Sequence, residues 1–268
     1  MSTLELVQTL FDYRMQLIVW VLCSILLYGL AANLLHVLRR ASSTRAGRVL
    51  TALESWPHNL WLLEGLRFSY YLGIPYVALM KGITNPTLMG LWSPHWFGPQ
   101  WFQELGMGVV LGLGTLALLV WGWRWYVKAA GQMRYGMGSR PYLTERRMLV
   151  TPWGWGLIVL GVLYLEVHWA FYRGATIQLL GNYHGTFVSL LLILGEWWLS
   201  PQIRKGWGMA HRTGKSLTTA AMAFSITIIY YFTSNTWLCM AIHLIVQFGL
   251  LSFLTMSSSL LDQEGESD

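Results

Sequence analysis

Seven side chains within apolar stretches are of types that can do acid, base or ion-pair chemistry, Glu64, Arg67, Glu166, His168, Arg173, Glu196 and His243, and Gln247 adds a hydrogen-bonding amide. Placing such a group in a membrane span costs about 2.5–3.5 kcal/mol on insertion scales, so each needs a partner or a task. Glu64 and Arg67 are three apart, on one helix face, and can pair and reach the interface. Glu166 and Arg173 are seven apart and also share a face. Glu166 and His168 are two apart and point in different directions. His243 and Gln247, four apart, present two polar groups to one neighbour. A carboxylate and an imidazole that meet over a water form a general-base couple. Counted at about 1.5 Å per residue, Glu166, Glu196 and His243 fall roughly 9–17 Å below one interface. They therefore either converge on one cavity or are hydrogen-bonded separately within helix packing.

The elements that position these groups follow from composition. The chain is 54% hydrophobic and 11% charged, against about 25% charged in soluble domains. Sixteen tryptophans fit aromatic belts at bilayer interfaces. Seven apolar segments approach the roughly 20 residues that a spanning helix needs: Met15–Leu38, Asn59–Lys81, Leu105–Trp123, Trp153–Tyr172, Gly185–Ile203, Ser216–Thr233 and Thr236–Ser257. The expected fold is all-α, a polytopic membrane helical bundle of about seven transmembrane helices.

Basic residues alternate between the connecting segments. Arg39, Arg40, Arg45 and Arg48 fill the first loop, Arg124, Lys128, Arg134, Arg140, Arg146 and Arg147 the third, and Arg204, Lys205, Arg212 and Lys215 the fifth. Arg14 and Lys81 are the basic residues assigned to the opposite side. The positive-inside rule puts the N-terminus outside and the C-terminus in the cytoplasm of a cell membrane. The net charge of +6 is then spread along headgroup-facing loops, which points to membrane lipids as partners and away from nucleic acid. The outer loop from Asn85 to Glu104, with Trp92, Trp96, Phe97, Trp101 and Phe102, is expected to lie in the interface. Gly106, Gly108, Gly112 and Gly114 permit close helix approach in the third span. The chain divides into an N-terminal three-helix segment (1–151), a four-helix core (152–257) and an unstructured acidic tail (258–268). Cys23 and Cys239 sit in apolar runs and do not suggest a disulfide framework. No His pair at ligand spacing suggests a metal, and no cofactor is expected, although a lone intramembrane His is also the residue type that ligates haem.

Two stretches carry a family resemblance. Tyr164-Leu-Glu-Val-His-Trp-Ala-Phe-Tyr-Arg-Gly174 resembles the first signature, Glu-Glu-x-x-x-Arg, of the CPBP family of intramembrane proteins, which includes type II CAAX prenyl proteases and bacteriocin-processing proteins. The run from Tyr230 to Gln247, with a Thr-containing turn, Trp237 and His243-x-x-x-Gln247, is similar to the family's last signature, His-x-x-x-Asn. The resemblance covers 153–257. It implies a glutamate-dependent endopeptidase in which Glu and His activate water and an Asn-containing pocket holds the oxyanion. This sequence departs from the pattern. His168 and Trp169 stand where the two glutamates belong, Glu196 or Trp197 where a His belongs, and Gln247 where the Asn belongs. The first expectation is therefore a CPBP-like pseudoenzyme, scaffold or accessory subunit working with other membrane-protein subunits, its former cavity filled by Trp169 or Trp197. The second is an atypical endopeptidase acting on a membrane-anchored or prenylated peptide, drawing on Glu166, His168, Arg173, Glu196, His243 and Gln247, with His168 and Glu196 able to exchange the family's roles. A transporter or a pigment- or haem-binding subunit is the third.

Overall fold

The computed structural model describes residues 3–92, 98–132, 151–207 and 210–264, with side chains for 12–92, 98–125, 151–207 and 213–255. Every regular element among them is helical: α1 (Thr3–Arg40), α2 (Arg45–Glu54), α3 (Asn59–Phe68), a π turn (Ser69–Gly73), α4 (Ile74–Met80), α5 (Pro99–Gln132), α6 (Gly154–Leu180), α7 (Asn182–Trp198), α8 (Pro201–Gly206), α9 (Ala210–Thr233) and α10 (Thr236–Glu264). Among the described residues, five stretches are long and apolar enough to cross a membrane: Asp12–Arg40, Pro99–Trp125, Gly154–Leu180, Thr213–Thr233 and Thr236–Thr255. Most of the basic third loop, Trp96 and Phe97 of the outer loop, and the last acidic residues lie outside the described residues.

The boundaries differ from expectation in three places. The second expected span is helix interrupted by the π turn. Pro75 follows that turn. A proline removes the hydrogen bond to the residue four back, here Tyr71, and its ring crowds that carbonyl, which a widened turn relieves. The fifth expected span stops at Trp198, and a new helix begins at Pro201, where the missing N–H is no loss. Finally, α10 runs on to Glu264, so Asp262 and Glu264 are helical rather than part of an unstructured tail. No glycine or proline interrupts the sequence between Leu250 and Glu264.

The chain forms two compact units that are discontinuous in sequence. The first comprises Met1–Trp92 and Tyr164–Gly208, the second Ser93–Leu163 and Met209–Asp268. In the first unit, α1 presents Leu22, Leu26, Leu30 and Leu34 outward, all more than half exposed, as a lipid-facing helix would. Tyr13 ties this helix to its neighbours, donating to the Ile83 carbonyl at 3.0 Å and accepting from Gln178 Nε2 at 2.7 Å. The α6–α7 hairpin turns at Gly181, whose φ of +80° suits glycine. Gly185 then lies against the backbone of Thr176 and Ile177, so close that any side chain would collide.

In the second unit, α5 packs on α9 and α10. Gly108 and Gly112 are the residues that permit the approach to α10. A Cβ at Gly108 would lie 2.8 Å from Ile242 Cδ1, and one at Gly112 2.6 Å from Ile242 Cγ2. Gly106 and Gly114 face open space and do not share this role. A turn farther along, Gly249 admits Leu116. Ile158, Leu250, Leu251 and Leu254 form the apolar core beside this seam. The α9–α10 turn passes through Ser234 at φ +48°, and Asn235 caps α10 by accepting from the Leu238 N–H at 3.1 Å.

Candidate functional site

The polar residues of α6 fall on two faces. Tyr164, His168 and Tyr172 recur every four residues on one, while Glu166 and Arg173 occupy the other. Each face builds its own network within the first unit.

On the second face, Arg173 Nη2 lies 3.3 Å from Glu166 Oε2, and both side chains are fully buried. The helical seven-residue spacing is what allows this pairing across two turns. A direct ion pair thus engages the Glu166 carboxylate through Oε2.

On the first face, His168 is 1% exposed and Glu196 of α7 is 2% exposed. His168 Nε2 lies 3.2 Å from Glu196 Oε2. Tyr70, in the π turn, donates to Glu196 Oε1 at 2.8 Å. The Tyr70 oxygen also lies 3.1 Å from the Ser24 carbonyl and 3.5 Å from His168 Nε2. Tyr172 donates to Ser24 Oγ at 3.1 Å, closing a circuit through α1, the π turn, α6 and α7. Consecutive α-helical residues diverge by about 100°. The wider π turn brings successive side chains closer in direction, and both Tyr70 and Tyr71 reach the imidazole, with ring centroids 4.9 and 5.1 Å away. Tyr172 adds a third ring at 4.6 Å.

With Glu196 ionised, Oε2 accepts and His168 Nε2 carries the proton. His168 Nδ1 is buried and, among the described residues, has no hydrogen-bond partner. The arrangement is chemically a carboxylate–imidazole couple with a phenol donor on the second carboxylate oxygen. Such a couple can hold or pass a proton, and it can also serve as a buried polar clamp between four helical segments.

Of the two arrangements open to Glu166, Glu196 and His243, a shared cavity or separate hydrogen bonds, the first unit gives its two carboxylates separate partners. Glu196 joins His168, and Glu166 joins Arg173. His243 belongs to the second unit, where it is buried, with Gln247 half-buried one turn on. Trp169 is 1% exposed and packs on Trp197 with ring centroids 5.9 Å apart. Glu64 and Arg67 pair at 2.8 Å, and the Arg67 guanidinium lies over the Tyr164 ring at 5.6 Å. Among the described residues, no three His, Cys, Asp or Glu side chains gather so as to hold a metal ion.

Sequence reasoning missed Ser24, Tyr70, Tyr71 and Tyr172. The four-residue spacing of Tyr164, His168 and Tyr172 was a usable signal, because hydroxyl-bearing aromatics in line with a His mark a polar stripe. Tyr70 and Tyr71 gave no such signal, since their joint direction depends on the π turn. Compared with known protein families, with curated proteins and with solved structures, the chain matches none.

Proposed function

We propose that this chain is a multi-pass protein of the cell membrane, CPBP-like over 153–257, and that it serves as a non-catalytic scaffold or accessory subunit of a membrane complex. The observation that carries this reading is the commitment of Glu196: one carboxylate oxygen accepts from Tyr70, the other faces His168, and the side chain is 2% exposed. A base that activates water for peptide cleavage must offer an oxygen to that water. Here each oxygen already has a protein partner on another helical segment, and the burial of the side chain keeps bulk water from it. The partners in this reading are membrane lipids and other membrane-protein subunits, with no nucleic acid and no cofactor. Gentle solubilisation of native membrane and affinity purification is expected to retain at least one further membrane protein in fixed stoichiometry. A chain that purifies alone under crosslinking would count against the subunit role.

The second reading, an endopeptidase acting on a prenylated or membrane-anchored peptide, is favoured by a specific feature. His168 and Glu196 form the couple that an exchange of the family's Glu and His positions would create, and Tyr70 orients it.

The topology belongs to the same proposal. Five apolar helices are joined by the run α3 to α4 and by α7, making seven spans with the N-terminus outside. A single cysteine at Ser139, in a chain with Cys23 and Cys239 replaced, is expected to react with an impermeant maleimide only after permeabilisation. Labelling in intact cells would reverse the orientation.

A further inference from the structure

At the C-terminal end of α1, basic side chains gather without a matching number of carboxylates. Asn33 Nδ2 donates to the Gly29 carbonyl at 2.7 Å and to the Leu199 carbonyl at 3.1 Å, fastening the α7–α8 turn to α1. Gly29 permits the approach, since a Cβ there would lie 3.0 Å from Leu199 Cδ1. Pro201 then starts α8, whose last turn carries Arg204 and Lys205. The result is that Lys205 Nζ sits 2.9 Å from His36 Nε2. Arg39, Arg40 and Arg204 also lie within electrostatic reach of His36. Arg39 is engaged by Glu54 at 2.8 Å. Among the described residues, no carboxylate pairs with Arg40, Arg204 or Lys205.

Complementing the helix dipole explains two basic residues at the end of each helix taken singly. It does not explain why an ammonium from α8 is brought onto an imidazole of α1 amid three guanidinium groups. Like charges gathered by a fixed turn repel, and an anion seated among them relieves that repulsion. The position identifies the anion's source. Asp12–Arg40 is a candidate membrane span that ends at this cluster. Trp198 and Trp207, 54% and 44% exposed, contact one another beside it with ring centroids 6.2 Å apart, as tryptophans do at headgroup depth.

We propose, resting on the membrane reading above, that His36, Arg40, Arg204 and Lys205 bind the phosphate of an anionic phospholipid headgroup where α8 packs against the end of α1. The guanidinium and ammonium groups supply charge-assisted donors, and the exposed tryptophans flank the acyl–headgroup boundary.

The test uses the full chain in a neutral detergent, titrated with short-chain phosphatidylglycerol, short-chain phosphatidylcholine and inorganic phosphate, with tryptophan fluorescence as the readout. Phosphatidylglycerol is expected to bind saturably. The R204Q/K205Q variant should weaken that binding about thirtyfold, the effect of removing two charges at the membrane surface. The charge-keeping R204K/K205R variant and the R45Q/R48Q variant, altered on α2, should bind within about twofold of the parent, because the cluster's charge is intact. Equal binding of phosphatidylcholine, or unchanged binding by R204Q/K205Q, would overturn the site. Competition by inorganic phosphate at concentrations comparable to the lipid would overturn the assignment to a lipid.

Discussion

Arg173→Leu is expected to lower the stability of the protein by about 3–5 kcal/mol, the usual loss when one partner of a buried ion pair is removed. The reason is what remains. Glu166 is fully buried, as is Arg173, and they lie 3.3 Å apart. Without the guanidinium, the carboxylate of Glu166 must either stay charged in a medium of low polarity or take up a proton, and both routes cost free energy. The double variant Glu166→Leu/Arg173→Leu should recover most of the loss, since an apolar pair of similar volume carries no desolvation cost. Thermal unfolding of the purified protein in one detergent separates these outcomes. If Arg173→Leu melts with the parent, the pair is not a stabilising contact. If the double variant is no better than the single one, packing rather than charge is the cause.

Replacing Glu196 by Leu is expected to cost on the order of 3 kcal/mol, because it removes the acceptor of the buried His168 Nε2–H and leaves the Tyr70 hydroxyl the longer contact with the Ser24 carbonyl at 3.1 Å. Glu196→Gln should cost less, about 1–3 kcal/mol. Its carbonyl oxygen still accepts from Tyr70, but its amide now faces His168, and the imidazole must move its proton to Nδ1 to accept. His168 Nδ1 is buried with no hydrogen-bond partner among the described residues, so the tautomer change leaves a donor unsatisfied by them. Tyr70→Phe removes one donor and leaves Glu196 Oε1 short of one bond, an expected loss of about 1–3 kcal/mol. The order Leu, then Gln and Phe, is the content of the prediction. A Glu196→Leu protein as stable as the parent would show that the four helical segments are not held through this carboxylate.

The helical, membrane-adapted character of the chain was legible from composition and apolar run length, because both act along the sequence itself. So were the shared face of Glu166 and Arg173 and the pairing of Glu64 with Arg67, since helical periodicity fixes which residues share a face; that Arg173 meets Glu166 directly was not. The partner of Glu196 was legible only in part. His168 was named as able to exchange roles with it, yet the depth count grouped Glu196 with Glu166 and His243. Depth along a span says nothing about rotation around its axis, and rotation is what separates the Glu166 face of α6 from the His168 face. The aromatic circuit was hidden for another reason. Tyr70 and Tyr71 act together only because Pro75 is preceded by a π turn, and no periodicity rule based on 3.6 residues anticipates that turn. The end of α7 at Trp198 and the restart at Pro201 likewise follow from local turn chemistry rather than from hydropathy.

The central claim is that the Glu196–His168–Tyr70 network joins helices and does not turn over a substrate. It is tested most directly by incubating the purified, monodisperse protein in lipid nanodiscs with a prenylated C-terminal peptide and with a library of membrane-anchored peptides, and reading products by mass spectrometry. No product above that of heat-inactivated protein is expected. Cleavage by the parent that disappears in both Glu196→Gln and His168→Ala, with each variant still folded, would contradict the claim and make the couple a catalytic centre.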